Sequence, residues 1–116
     1  MDYGVNGLMS ASISTQTVWR ESTQQVVAYT GSSVQVTNPF GSETYAVKLS
    51  SDSACQYIIG NGTLSAAQDN TSPYLPAFWV ETVTVTPGQS IAAIRAATNG
   101  NTIAASGTLW VTELTA

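Results

Sequence analysis

Apolar and polar residues alternate with period two along most of the chain, and the apolar positions are filled by Val, Ile, Tyr and Trp among abundant Thr, types that fit a pleated, half-buried surface. This pattern predicts strands at Ser12–Trp19 (Ser-Ile-Ser-Thr-Gln-Thr-Val-Trp), Gln25–Tyr29 and Ser33–Thr37, the last two separated by a Thr30-Gly31-Ser32 turn. The three together read as a meander. Asn38-Pro39-Phe40-Gly41 is loop chemistry, because Pro cannot donate to a ladder and Gly tolerates positive φ. A strand over Thr44–Leu49 places Tyr45, Val47 and Leu49 on one face, and a shorter, more apolar strand follows at Cys55–Ile59, ending at Gly60-Asn61-Gly62.

Thr63–Pro76 carries two prolines and no usable period, which predicts a long ordered loop. Phe78–Thr86 and Gln89–Ala96 alternate again on either side of Pro87-Gly88, the residues of a type II turn, and predict a hairpin. Asn99-Gly100 marks a further tight turn, and Gly107–Leu114 a last strand. Seven or eight short strands with no helical period predict an all-β, single-domain antiparallel β-sandwich of the jelly-roll kind, with an immunoglobulin-like sandwich as the alternative order of the same strands. The domain spans 1–116, with 1–10 as an N-terminal arm.

Composition narrows the partners. Of 116 residues, 43% are hydrophobic and only 9% charged, so the surface is largely hydroxyl and amide, a composition suited to a protein that stays assembled with others. Arg20, Lys48 and Arg95 are the only basic residues, too scattered to track a phosphate backbone, and no nucleic-acid partner is expected. No apolar run is long enough to cross a bilayer as a helix, and no membrane partner is expected. The amino terminus lacks the basic and apolar regions of a signal peptide, and the lone Cys55 has no partner for a disulfide; both predict folding in a reducing cytoplasm.

The chemistry available is limited. With no His and one Cys, Ser-His and Cys-His nucleophile systems are excluded by composition, and no zinc set can be assembled. Glu43, Asp52, Asp69, Glu81 and Glu113 supply the residue types of a glycosidase pair, but their spacing does not favour one. Glu81 and Glu113 alternate with the Trp79–Val83 neighbours and with Trp110, which predicts outward-facing or interface-rim positions. Asp52 and Asp69-Asn70 offer oxygens to calcium without a spaced ligand loop, and fit turn capping better. The expectation is no enzyme, no cofactor and no metal.

Two groups of residues point to binding. Trp19, Trp79 and Trp110 each lie in a β-patterned run, where the ordinary use is core or protein interface, and a sugar-stacking platform is the alternative. Pro73, Tyr74, Leu75, Pro76, Phe78 and Trp79 concentrate apolar groups on an irregular, proline-stiffened segment, which reads either as a docking surface or as a plug in which Leu75 and Phe78 close the end of the sandwich.

The stretches Pro73-Tyr74-Leu75-Pro76-Ala77, Val80–Ile94 (Val-Glu-Thr-Val-Thr-Val-Thr-Pro-Gly-Gln-Ser-Ile-Ala-Ala-Ile) and Gly107–Leu114 (Gly-Thr-Leu-Trp-Val-Thr-Glu-Leu) resemble small virion structural proteins of tailed bacteriophages, over about the last two fifths of the chain. The resemblance brings no catalytic residues. It implies a sandwich or jelly-roll subunit, often trimeric, that binds the major capsid protein or other virion proteins. A head decoration or cement protein heads the expectation, with a neck, tail or fibre component or a carbohydrate-binding receptor module as alternatives, and the virion as its location.

Overall fold

The computed structural model describes residues 19–68, 71–98, 101–102 and 105–115. Among these, the regular structure is all strand: β1 (Arg20–Tyr29), β2 (Val34–Gln35), β3 (Ala46–Ser51), β4 (Cys55–Gly60), β5 (Tyr74–Leu75), β6 (Val80–Thr84), β7 (Ser90–Arg95), β8 (Ala97–Thr98), β9 (Asn101–Thr102) and β10 (Gly107–Thr115). Ser12–Val18, most of the first expected strand, and the expected arm at 1–10 lie outside the described residues, as do Asn99 and Gly100 between the paired β8 and β9.

Two antiparallel four-stranded sheets form the body. Sheet I has the order β1-β10-β3-β6 and sheet II the order β2-β7-β4-β5. With β8–β9 set aside as a small hairpin, the ladders are nested: β4 pairs β5, β3 pairs β6, β2 pairs β7 and β1 pairs β10. One long hairpin folded over on itself gives this order, which is the eight-stranded jelly roll. The immunoglobulin-like alternative requires the first two strands to share a sheet, and here β1 and β2 lie in different ones.

The same order corrects two local expectations. The first strands are not a meander, since β1, β2 and β3 alternate between sheets. Pro87-Gly88 does make the turn, with Gln89 N–H donating to Thr86 O at 3.1 Å and Gly88 at φ 87°, but β6 and β7 are not a hairpin. The turn carries the chain from sheet I to sheet II. A reversal between two alternating runs fits strands that hydrogen-bond side by side and strands that face one another across a core equally well.

Between the sheets, Val27 and Tyr29 of β1, Val47 and Leu49 of β3, and Leu109 and Val111 of β10 meet Cys55, Tyr57, Leu75, Ile91 and Ala93 of sheet II. The outer faces of the two sheets are treated differently. On sheet II the outward-facing Ala92, Ile94 and Gln56 are also buried, where residues 61–68 and 71–73 lie against that face. Outward side chains hold them there: Gln35 donates to Gly62 O at 2.8 Å and accepts from Leu64 N–H at 3.0 Å, and Gln56 donates to Ser72 O at 3.1 Å. The described parts of the expected loop Thr63–Pro76 thus form a roof, except that Tyr74 and Leu75 near its end form the edge strand β5. Roofing explains why β7 reads Ser-Ile-Ala-Ala-Ile-Arg without alternation, for a strand buried on both faces has no polar side to show.

A candidate docking face

The outer face of sheet I is covered at one end, where the outward-facing Ala46, Thr112 and Leu114 are buried, and is more open along the row next to Thr112. Cross-strand register places Val26, Trp110, Ser50 and Val80 opposite one another, so one row of side chains crosses the outer face on all four strands. At the usual strand spacing the row is about 14 Å long. Val26 is 54% and Val80 59% exposed, and Trp110 is half-buried between them. The neighbouring row is Gln24, Thr112, Lys48 and Thr82, with Thr112 donating to Gln24 at 3.2 Å. A bulge in β1 between Glu21 and Gln24 adds a residue opposite β10, which puts Glu21 on this outer face too, where Lys48 pairs with it at 2.5 Å. The face is apolar along one row and internally neutralised beside it.

The row runs into the connection between β5 and β6. Trp79 N–H donates to Pro76 O at 3.3 Å, closing a turn whose third residue, Phe78, has φ 59°, and Phe78 N–H is anchored on Ser51 O of β3 at 2.8 Å. Gly or Asn ordinarily fills such a position, and a bulky side chain there costs about 1–2 kcal/mol. Phe78 is nevertheless 81% exposed and makes no part of the core. A strained, solvent-facing aromatic beside Trp79, itself 59% exposed, is backbone energy spent on presentation rather than packing.

The residues singled out from sequence therefore separate. Leu75 is fully buried and belongs to the core, whereas Pro73, Tyr74, Phe78 and Trp79 are exposed and Pro76 is half-buried. Phe78 does not plug the sandwich; Leu75 does. The tryptophans are not core residues, Trp19 and Trp79 being exposed and Trp110 half-buried. They do not converge on one platform either. Trp110 lies opposite Val26, while Trp19 precedes Arg20, which pairs with Thr115 at the far end of the sheet, about 17 Å along the strand. Trp79 shares the Val80 end of the apolar row. Sequence reading passed over Val26 and Val80, because exposure is decided by which alternating set faces the other sheet.

Two of the acidic residues, Glu81 and Glu113, are not solvated surface groups, whereas Glu21, Glu43 and Asp52 are exposed. Glu113 is only 5% exposed, and Oε1 accepts from Gly41 N–H at 2.9 Å and from the Thr44 hydroxyl at 2.6 Å. The outward position expected for it fails because Trp110, not Glu113, faces out. Glu81 also lies on the inner face, half-buried, with the Tyr57 hydroxyl 3.4 Å away. Asp52 accepts from Thr108 N–H at 2.8 Å, Glu43 is exposed, and Asp69 lies outside the described residues. Glu81 and Glu113 are two strands and two residues apart in register, about 12 Å, beyond the separation of a glycosidase pair. Among the described residues no three His, Cys, Asp or Glu side chains gather as a metal site.

Burial perturbs three acids at the inner face. Desolvation pushes the Cys55 thiol up to about 11, against hydrogen bonds from Ser51 and Tyr29 that lower it. It likewise pushes Tyr29 to about 12, with Cys55 and Asp52 adding to the rise, and Tyr57 to about 12, with Glu81 adding to it. Cys55 is a protonated core side chain at neutral pH, not a nucleophile.

No family model matches this chain, and no curated protein and no solved structure matches it.

Proposed function

We propose that this chain is a bacteriophage virion structural protein, a capsid decoration protein that seats the outer face of sheet I on the assembled head. The observation that carries the docking is the row Val26–Trp110–Ser50–Val80, apolar but for Ser50 and exposed at its two ends, continued by the strained and exposed Phe78–Trp79 turn. The phage setting comes from the resemblance at Pro73–Ala77, Val80–Ile94 and Gly107–Leu114. The mechanism is linkage: a subunit that binds the assembled lattice and not its precursors stabilises that lattice by mass action, and many weakly held copies act together.

The test is cosedimentation with purified phage heads, with copy number by mass spectrometry. Wild type pellets with heads in hundreds of copies, and Val80→Lys, which places a charge in the middle of an apolar contact, abolishes pelleting while leaving the circular dichroism spectrum unchanged. Six or twelve copies assign the protein to the neck or tail instead. Absence from purified particles overturns the proposal.

The adjacent exposed rings of Phe78 and Trp79 favour a second reading, a carbohydrate-binding module in a receptor-binding position, since an indole face stacks on the apolar side of a pyranose. It predicts glycan-array retention that is lost in Trp79→Ala and kept in Trp19→Ala.

A further inference from the structure

Two four-stranded sheets present four edge strands, and three of them are guarded. β2 and β5 are two residues long, too short to template another chain. β6 carries the inward-pointing Glu81 and starts at the strained Phe78 turn. β1 is ten residues long, and from Gln24 to Tyr29 it contains no Pro, no Gly and no charge, while its ladder to β10 is regular throughout that stretch. No described strand lies along its other side.

We propose that β1 pairs antiparallel with β1 of a second copy about a two-fold axis, Val26 against the partner's Val26, joining two copies of sheet I into one eight-stranded sheet. Antiparallel partners must share a face, so the axis passes through a single residue of the stretch, and burial selects which. An axis at Val26 sets two half-exposed valines side by side and joins the two apolar rows into one that crosses eight strands. Gln24 then lies against the partner's Ala28, and the bulge keeps Glu21 outside the paired stretch. An axis at Gln25 brings no such gain, because that side chain is already tied to Asn38, donating to its carbonyl at 2.8 Å and accepting from its N–H at 3.0 Å. The contact is two-fold and therefore differs from the trimer that the sequence resemblance implies.

The experiment is sedimentation equilibrium on the full chain alone, with Val26→Lys and Val26→Glu. Directly opposed side chains lie about 5 Å apart, so like charges there repel and opposite charges attract. Wild type sediments at twice the chain mass. Each variant keeps the wild-type circular dichroism spectrum, since Val26 packs no core, and its dimer dissociation constant rises at least about tenfold. An equimolar mixture of the two variants returns to twice the chain mass. A monomeric wild type, a trimer mass, a Val26→Lys dimer of wild-type affinity, or a mixture no tighter than its components overturns the proposal. Since no phage particle enters the experiment, its outcome is separate from that of head binding.

Discussion

Replacing Glu113 by alanine tests how the jelly roll holds the connection between β2 and β3 against its last strand. One carboxylate oxygen accepts both the Gly41 N–H at 2.9 Å and the Thr44 hydroxyl at 2.6 Å, and the Thr44 side chain is almost fully buried. Hydrogen bonds to a charged group contribute about 1.5–3 kcal/mol each, and a buried donor left unpaired loses the full value. Gly41 is exposed and regains water, and removal of the carboxylate relieves its own desolvation, so the sum falls to about 2–4 kcal/mol. For a domain of this size that lowers the melting temperature by about 8–16 °C. Urea unfolding followed by tryptophan fluorescence measures it, with an unchanged m-value showing that the native state is still compact. Glu113→Gln keeps an acceptor of the same shape without the charge and costs about half as much. Thr44→Val removes one of the two bonds, and a double-mutant cycle with Glu113→Gln returns a coupling of about 1–2 kcal/mol. A loss below about 0.5 kcal/mol in Glu113→Ala, the size of an ordinary surface change, refutes the reasoning.

Phe78→Gly relieves the positive φ but adds freedom to the unfolded chain, so stability stays within about 1 kcal/mol of wild type while head binding is lost; a large drop in melting temperature contradicts a presentational role for this ring. Gly107→Ala sets a methyl group 2.5 Å from Asp52 Oδ1, 2.8 Å from the Tyr29 hydroxyl and 2.9 Å from Ser53 Cβ, and costs about 1–3 kcal/mol in chemical denaturation. Folded-state values above the unfolded ones mean that the native state holds its protons longer, so stability is intact at neutral pH and falls as pH rises. The fall starts near pH 9 with Cys55 and continues from 10 to about 12 with Tyr29 and Tyr57. In Cys55→Ala its onset moves to about pH 10, read from melting temperature against pH.

Alternation along the chain located β1, β2, β3, β4, β6, β7 and β10, and Gly and Pro marked their ends. What alternation does not encode is the partner of each strand. Gln25–Tyr29 and Ser33–Thr37 read as neighbours, yet the chain changes sheet between them, and the outward side chain of Gln35 is tied to the roof over sheet II. Nor does it label which alternating set faces in. Trp110 and Glu113 lie on opposite faces of β10 as their spacing requires, but a tryptophan assumed to face the core reverses the assignment of the strand. β5 was hidden because its two residues sit between Pro73 and Pro76, and only the ladder to Cys55 and Gln56 makes them a strand. Within the candidate site, Phe78 and Trp79 were legible as a concentration of aromatics. The apolar row was not, since it is assembled from four strands far apart in sequence.

The nested ladders also govern how fast this chain reaches its fold. Arg20 and Thr115 are paired although nearly the whole described chain separates them, and closing so long a loop in one step carries a large entropic cost. Nesting divides that cost. Once β4 and β5 meet across the roof segment, β3 and β6 are brought near, then β2 and β7, and β1 meets β10 last, each closure short because the previous one has been made. Changes in the β4–β5 ladder therefore slow folding, whereas changes in β1 leave the folding rate alone and speed unfolding. The strand that completes sheet I is the last to arrive and the first to leave.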